Sequence, residues 1–374
     1  MAGAKLRSDE PNWYHGPARL PATPESVLSG ERNNGRLGEN DRTREMVKPR
    51  KQGAVRRRAI TIPLYAVSWV LLTLLAPVWV VAGVIIGAMR RRSFVTLRLL
   101  VFAWFFFGIA MVALMRLAAA FIVLRPEPRE LQNRLFRLQQ WWAASVLDAA
   151  RKLLKLDIQI EDADAALPGP AILLMRHASI LDTLLPSVYL QAPTQWRVRY
   201  VLKQELLFDP CLDIVGNALP NYFVDRIGDR EREFEGIRAL VRDLGDEGVL
   251  IYPEGTRFSV EKLARARQRL REQAPELVRP AESLTHVLPP RPGGVLTLLD
   301  ALPGVDCVLF AHQGLERLQR VKDVLSGAVI GSTVRGKVWR VSRCDIPATD
   351  EERIQWLYAQ WSMVDAFVKG KEAG

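Results

Sequence analysis

The sequence predicts an α/β fold, a mixed sheet flanked by helices, preceded by an N-terminal membrane region of two helices. Short apolar runs alternate with helical stretches from about residue 157 onward. Two long apolar segments come before them. A polar, basic stretch opens the chain. The boundaries follow: 1–58 a disordered basic tail, 59–125 membrane-embedded helices, 126–374 the folded domain.

Residues 1–58 are rich in Pro, Gly, Asn and Arg and lack a sustained hydrophobic period. They hold 13 basic and 7 acidic side chains, over half of the chain's net charge of +11. The positive charge gathers in Lys48-Pro49-Arg50-Lys51 and Arg56-Arg57-Arg58, next to the first apolar run. That placement suits anionic lipid headgroups, with a solvated tail as the plain alternative. The apolar run starts too late and is too long for a secretory signal peptide.

Ile60–Met89 contains no charged residue. As one helix its thirty residues would reach about 45 Å, against a hydrocarbon core of about 30 Å. A second run, Leu99–Met115, extends to Leu124 with Arg98 and Arg116 near its ends, placed to snorkel. Two topologies stay open. Two spans would put Arg90-Arg91-Arg92 opposite the folded domain, against the positive-inside tendency. A re-entrant hairpin, bent at Pro77 with Gly83 and Gly87 nearby, would return Arg90 to the starting side.

Leu131, Leu135, Leu138, Trp142, Val146 and Leu153 follow helical spacing, which predicts an amphipathic helix over Arg129–Leu154. Trp141 and Trp142 fit either a membrane interface or the core. Strands are expected at Asp157–Ile160, Ala171–Met175, Arg199–Leu202, Tyr222–Val224, Val249–Tyr252 and Asp306–Phe310. Helices are expected at Asp182–Leu190, Arg230–Leu244 and Glu351–Lys369, with a charged helical insertion at Ser259–Leu277. Cys211, Cys307 and Cys344 form no Cys-x-x-Cys pair, which argues against zinc or a disulfide framework and for a reducing compartment. The basic charge sits beside the apolar runs rather than in a nucleic-acid-binding motif, so nucleic acid is not the expected partner.

Four histidines are present, and His177 is the one with an acidic residue at a useful spacing. It follows the apolar run Ile172–Met175, so it belongs on a loop at a strand's C-terminal end. A neutral imidazole, with an ordinary pKa of about 6.5, accepts a proton at pH 7. Asp182 lies five residues on, a spacing that faces away within a regular helix. Ser179-Ile180-Leu181-Asp182 has capping-box spacing, which lets the chain turn and His177 fold back on the carboxylate. Alone, the pair reads equally as a helix cap beside a loop histidine. A second motif changes the balance. Gly248–Arg257 is a strand running into Tyr252-Pro253-Glu254-Gly255-Thr256-Arg257. There Gly255 permits close backbone approach, Thr256 offers a hydroxyl, and Arg257 presents a fork suited to phosphate.

Taken together, these motifs resemble the membrane-bound glycerolipid acyltransferases, the lysophosphatidic acid acyltransferase superfamily. Lys203-Gln204-Glu205-Leu206-Leu207, followed by Pro210 and Gly216, looks like that family's Lys-x-Glu-Leu segment. Phe223-Val224-Asp225-Arg226 looks like its Phe-Ile-Asp-Arg motif, and His286–Gly294 like its proline-containing fourth motif. The resemblance covers about 171–310. It departs at Arg176, where the family often has Asn, and at the charged insertion.

The resemblance implies transfer of a fatty acyl group from acyl-CoA or acyl-carrier protein to a lysophospholipid hydroxyl, with 1-acyl-glycerol-3-phosphate the default acceptor. His177 would act as base and Asp182 as its partner. Arg226, Glu254, Gly255, Thr256 and Arg257 would hold the phosphate and headgroup, with Lys203 a further contact. No metal and no bound cofactor are expected. Membrane lipids, the lysophospholipid and the acyl donor are the expected partners, at the cytoplasmic face of a bacterial inner membrane. A hydrolase using the same histidine, or a membrane scaffold without catalysis, are the rival readings.

Overall fold

The computed structural model describes residues 53–89, 94–124, 126–225, 229–318 and 321–370. The basic tail up to residue 52, the Arg90–Arg92 link and Arg226 lie outside the described residues. The apolar region folds as α1 (Ala54–Leu74), α2 (Ala76–Met89) and α3 (Val95–Ala118), the last continuing as a π-helical turn, Ala119–Leu124. The first apolar run is not one straight helix. It breaks at Leu75 and bends by 66°, with Pro77 in the first turn after the break, where proline is tolerated. Val95–Ile122 is long and apolar enough to cross a membrane, and the bent pair passes the same test taken together. Close packing joins α2 to α3: a Cβ on Gly87 would fall 2.3 Å from the Phe94 ring.

α4 (Pro128–Leu154) runs antiparallel to α3 along most of its length. At one end Arg98 Nη1 donates to Leu153 O at 2.6 Å. At the other the Arg116 guanidinium lies over the Trp141 ring at 4.1 Å. The inner face of α4 (Ala143, Val146, Leu147, Ala150 and Leu154) is buried in one core cluster with Leu173 and Met175 of the sheet. α3 is therefore laid against the folded domain rather than standing away from it. Its neighbour α4 carries Arg134, Arg137, Asp148, Arg151 and Lys152, so a straight crossing of hydrocarbon by α3 would draw these charges in with it.

The remaining elements, in order, are β1 (Asp157–Glu161), β2 (Ala171–Met175), β3 (Val198–Lys203), α5 (Pro210–Ala218), β4 (Tyr222–Val224), α6 (Arg230–Val241) and β5 (Gly248–Ile251). They continue with α7 (Val260–Gln273), α8 (Val278–Glu282), α9 (Pro292–Ala301), β6 (Asp306–Gln313), α10 (Val321–Ser326), β7 (Thr333–Val341) and α11 (Asp350–Lys369). The segment after β2 was expected to be one helix. It is irregular instead: a 3-10 turn at Leu181–Leu184, then a π turn at Pro186–Gln191.

The sheet has seven strands in the order β1-β7-β6-β2-β5-β3-β4. β6, β2, β5, β3 and β4 are mutually parallel, so their C-terminal ends share one edge. β7 runs antiparallel to β6 and parallel to β1, which makes the sheet mixed. Every residue of β2 and β5 is buried, as expected for central strands covered on both faces. One core cluster joins Ile172 and Leu174 to α6, α7, α9 and α11; the other joins Leu173 and Met175 to α4.

The expected lipid contact is revised for Arg57 and Arg58; Lys48, Arg50 and Lys51 lie outside the described residues. Arg57 Nη2 pairs with Asp213 Oδ1 at 2.8 Å, and Arg58 Nε with Asp213 Oδ2 at 3.1 Å. Tyr65 Oη donates to Asp209 Oδ2 at 3.1 Å. A buried carboxylate is costly unless paired, so these two arginines fasten α1 to α5 of the folded domain instead of facing headgroups. α7, expected as a surface insertion, also has an inward face: Leu263 and Leu270 are buried, and Arg267 donates to the carbonyls of Ala281, Glu282 and Leu284.

Candidate active site

β2 and β5 are parallel neighbours, with Leu174 opposite Ile251, so the loops that leave them emerge side by side. This is the edge of an α/β sheet where ligand sites gather. The β2 loop carries His177 and Asp182, and the β5 loop carries Glu254, Gly255, Thr256 and Arg257.

In the β2 loop the expected fold-back occurs. His177 Nδ1 lies 3.1 Å from Asp182 Oδ1. Asp182 Oδ2 accepts from the backbone N–H of Ala178 at 2.6 Å and of Ser179 at 2.7 Å. Ser179 Oγ in turn accepts from the N–H of Leu181 and Asp182. The reciprocal logic of the capping box is thus present, although the helix it starts is only a short 3-10 turn.

Asp182 has no exposed surface. Burial alone would raise its pKa, but the adjacent His177, with a smaller contribution from His312, outweighs burial and holds the carboxyl well below the usual range. An ionised carboxylate only accepts, so Nδ1 of His177 carries the proton and Nε2 keeps the lone pair. Burial lowers the His177 pKa; Asp182 opposes this in part, while the charges of Lys203 and Arg257 add to the lowering. The imidazole is therefore neutral at pH 7, the state a proton acceptor needs.

Glu254 does something other than expected. Its exposure is 1%, and its two oxygens accept from backbone N–H groups on different loops: His177 N at 2.9 Å and Leu288 N at 2.9 Å. The carboxylate is a brace between the β2 loop and the fourth motif, not a headgroup contact. Burial pushes its carboxyl up to about 7, opposed by Arg176 and by those two N–H groups. Further backbone bonds tie the same segments: Phe258 N donates to His177 O at 3.0 Å, and Arg291 N to Pro253 O at 2.9 Å. Asp365 of α11 accepts from the N–H of Thr285, His286 and Val287, which fixes the start of the fourth motif.

Gly255 has φ +66°, a left-handed conformation that only glycine takes without strain. Its bend brings Thr256 and Arg257 past the His177 loop. Arg257 is exposed, and its charge reaches His177. Thr256 Oγ1 accepts from Lys262 Nζ at 3.0 Å, and the same ammonium donates to Arg257 O at 3.0 Å. Lys203 ends β3, half-buried, close enough for its charge to act on His177. The charges of Lys203 and Arg257, from two segments, thus act on one imidazole. Arg226, the next expected phosphate contact, lies outside the described residues; Asp225 before it follows β4, two strands from β5.

Sequence reasoning missed three members of this site. His312, fully buried on β6, places Nε2 3.0 Å from Arg176 O and 3.5 Å from Asp182 Oδ2. His177 is therefore not the sole histidine beside an acid; the second approaches from far along the chain, where linear spacing carries no signal. Arg176, the departure from the family pattern, is fully buried. It donates to His312 O at 2.6 Å, to His286 O at 2.9 Å and to Glu316, so it fastens β2, β6 and the fourth motif together. Lys262 is the third; its position in the first turn of α7 offered a cue, because the helix starts four residues after Thr256. The Tyr252 ring packs against His177, tilted by 40° with ring centroids 4.7 Å apart. Among the described residues no group of three or more His, Cys, Asp or Glu side chains is arranged to hold a metal.

Residues 157–290 match the model of the Acyltransferase family. A comparison with curated proteins finds no match. Among solved structures, the crystal structure of the 1-acyl-sn-glycerophosphate (LPA) acyltransferase PlsC from Thermotoga maritima is similar at a TM-score of 0.49 and 14% identity, over 74% of this chain and 99% of that one. The matched segment contains β1 to β5, the His177–Asp182 loop, the Glu254–Arg257 loop and the start of the fourth motif, so this part of the chain is similar to that family.

Proposed function

We infer that the protein transfers a fatty acyl group from acyl-CoA or acyl-carrier protein to the hydroxyl of a lysophospholipid, with 1-acyl-glycerol-3-phosphate as acceptor and phosphatidic acid as product. One observation carries this reading: a buried neutral imidazole, held through Nδ1 by Asp182, beside converging cations at the carboxyl edge of the sheet. A base under the charges of two cations suits an acceptor with both a hydroxyl and a phosphate.

In the reaction, His177 Nε2 takes the proton of the acceptor hydroxyl as its oxygen attacks the thioester carbonyl. The C–O bond forms, the C–S bond breaks, and the departing thiolate takes the proton back from the imidazolium. Asp182 balances the imidazolium charge and fixes the ring. Arg257, Lys203 and Arg226 hold the phosphate, and Gly255 and Thr256 shape the loop beside it. No acyl-enzyme is involved.

The membrane supplies the lipid. The packing of α3 on α4 and the 66° bend between α1 and α2 favour the re-entrant arrangement over two spans. The apolar helices then sit in one leaflet, with the catalytic domain on the cytoplasmic face of a bacterial inner membrane. A cysteine at Ser93 labelled only from the cytoplasm agrees with this; labelling only from the far side restores two spans.

The direct test offers labelled acyl-CoA and acyl-carrier protein to the membrane-reconstituted chain with a panel of lysophospholipids. Acceptor-dependent formation of phosphatidic acid is expected. Free fatty acid at the same rate with and without acceptor would identify a hydrolase. No product from any acceptor, with the protein folded, would favour the scaffold.

A further inference from the structure

A second cleft lies on the membrane-facing helices and shares no residue with the His177 site. It opens between the end of α3 and the first half of α4, with a volume of about 450 Å³. That is within the range of ligand sites, about 300–1,000 Å³. Its floor is apolar and buried: Ala120 at 7% exposure, Leu135 at 1% and Leu138 at 9%. Its rim is cationic, with Arg116 from α3 and Arg134 and Arg137 from α4.

The charges do not cancel. Arg134 and Arg137 both turn to Glu130, at 2.9 Å and 3.4 Å. Arg116 lies over Trp141 instead and meets no carboxylate among the described residues. The three guanidinium groups of the rim thus have one partly exposed carboxylate among them, shared by Arg134 and Arg137. The π turn at Ala119–Leu124 widens the helix where the cleft opens, a distortion often found at functional sites. Flanking the cleft-lining Arg116, Ala119 and Ala120 in sequence, Met115, Phe121 and Ile122 are 63%, 41% and 65% exposed, an apolar track beside the cations.

We propose that this cleft binds an anionic phospholipid of the host bilayer, its phosphate held by Arg116, Arg134 and Arg137 and its acyl chains lying along Met115, Phe121 and Ile122. An apolar floor under a cationic rim, continuous with a lipid-exposed helix, matches such a molecule from end to end. A free phosphate or a nucleotide would use the rim and leave the apolar track without a partner. A tryptophan such as Trp141 beside the cationic rim suits a membrane interface. The lipid would act as a bound anchor that fixes α3 on α4, separate from the acceptor.

The test is native mass spectrometry of the full chain in zwitterionic detergent, with phosphatidylglycerol or phosphatidylcholine of identical chains. No acyl donor is added, so the result does not depend on transferase activity. Wild type should retain phosphatidylglycerol in preference. Arg116→Gln with Arg137→Gln should weaken that retention by about tenfold or more, given roughly 1 kcal/mol for each basic side chain near an anionic surface. Phosphatidylcholine retention should not change, and the melting temperature of the variant reports its folding. Arg134→Gln alone is a second variant should the pair fail to fold. Equal retention of the two lipids by wild type, equal loss of both in a variant, or displacement of phosphatidylglycerol by millimolar CoA or inorganic phosphate would overturn the proposal.

Discussion

The loops leaving β2 and β5 are neighbours at the same edge of the sheet, yet they are built differently. In the β2 loop the side chains turn inward: His177, Ser179 and Asp182 are buried and bonded to one another or to nearby N–H groups. The β5 loop is divided. Glu254 is sealed beneath it as a brace, while past the left-handed Gly255 the chain ends in the exposed Arg257. A proton acceptor needs a fixed tautomer and a dry setting. A contact for a charged headgroup needs reach and access to solvent. The difference assigns chemistry to one loop and recognition to the tip of the other, with Glu254 belonging to the first although it sits in the second.

The largest effect should come from within the buried loop. His177→Ala should lower the transfer rate by about 10²–10⁴, with the melting temperature little changed. Asp182→Asn should come close to it, because the amide disturbs the tautomer and turns a donor toward groups that need an acceptor. A nearly wild-type rate in Asp182→Asn would reduce this residue to a helix cap.

Glu254→Gln sharpens the boundary between the two roles. The amide has one acceptor oxygen for two buried N–H groups, so destabilisation of about 1–3 kcal/mol is expected, read as a lower melting temperature and a lower kcat. An unchanged melting temperature with a raised acceptor KM would return Glu254 to the headgroup.

The pH dependence tests the buried loop without mutation. A lowered histidine pKa keeps the base neutral at pH values where an ordinary histidine has gained its proton. The acid limb of kcat/KM should therefore have its midpoint below 6.5, the ordinary value. A midpoint above 6.5 would mean that the Asp182 charge prevails over burial.

Much of this was legible in the sequence for physical reasons. Apolar runs of strand length marked β2 and β5, and capping-box spacing around Ser179 pointed to the fold-back of His177. β7 escaped notice because only Val334, Gly336 and Val338 alternate inward, among Arg335, Lys337 and Arg340, which read as polar surface. His312 and Arg176 are members of the site through β6–β2 pairing, which no local pattern reveals. Trp141 and Trp142 both pack against the core cluster of the apolar helices; Trp142 also meets Phe106, and Trp141 lines the arginine cleft. Arg57 and Arg58 show how a basic cluster suited to lipid by position becomes structural once a buried Asp213 lies within reach.

The division of labour between the loops is tested most directly by steady-state kinetics of reconstituted His177→Ala and Arg257→Ala, measured side by side over acceptor concentration. The account predicts that His177→Ala loses kcat by about 10²-fold or more, while Arg257→Ala raises the acceptor KM and largely keeps kcat. A His177→Ala enzyme retaining more than about a tenth of the wild-type kcat, or an Arg257→Ala enzyme whose acceptor KM is unchanged, would contradict it.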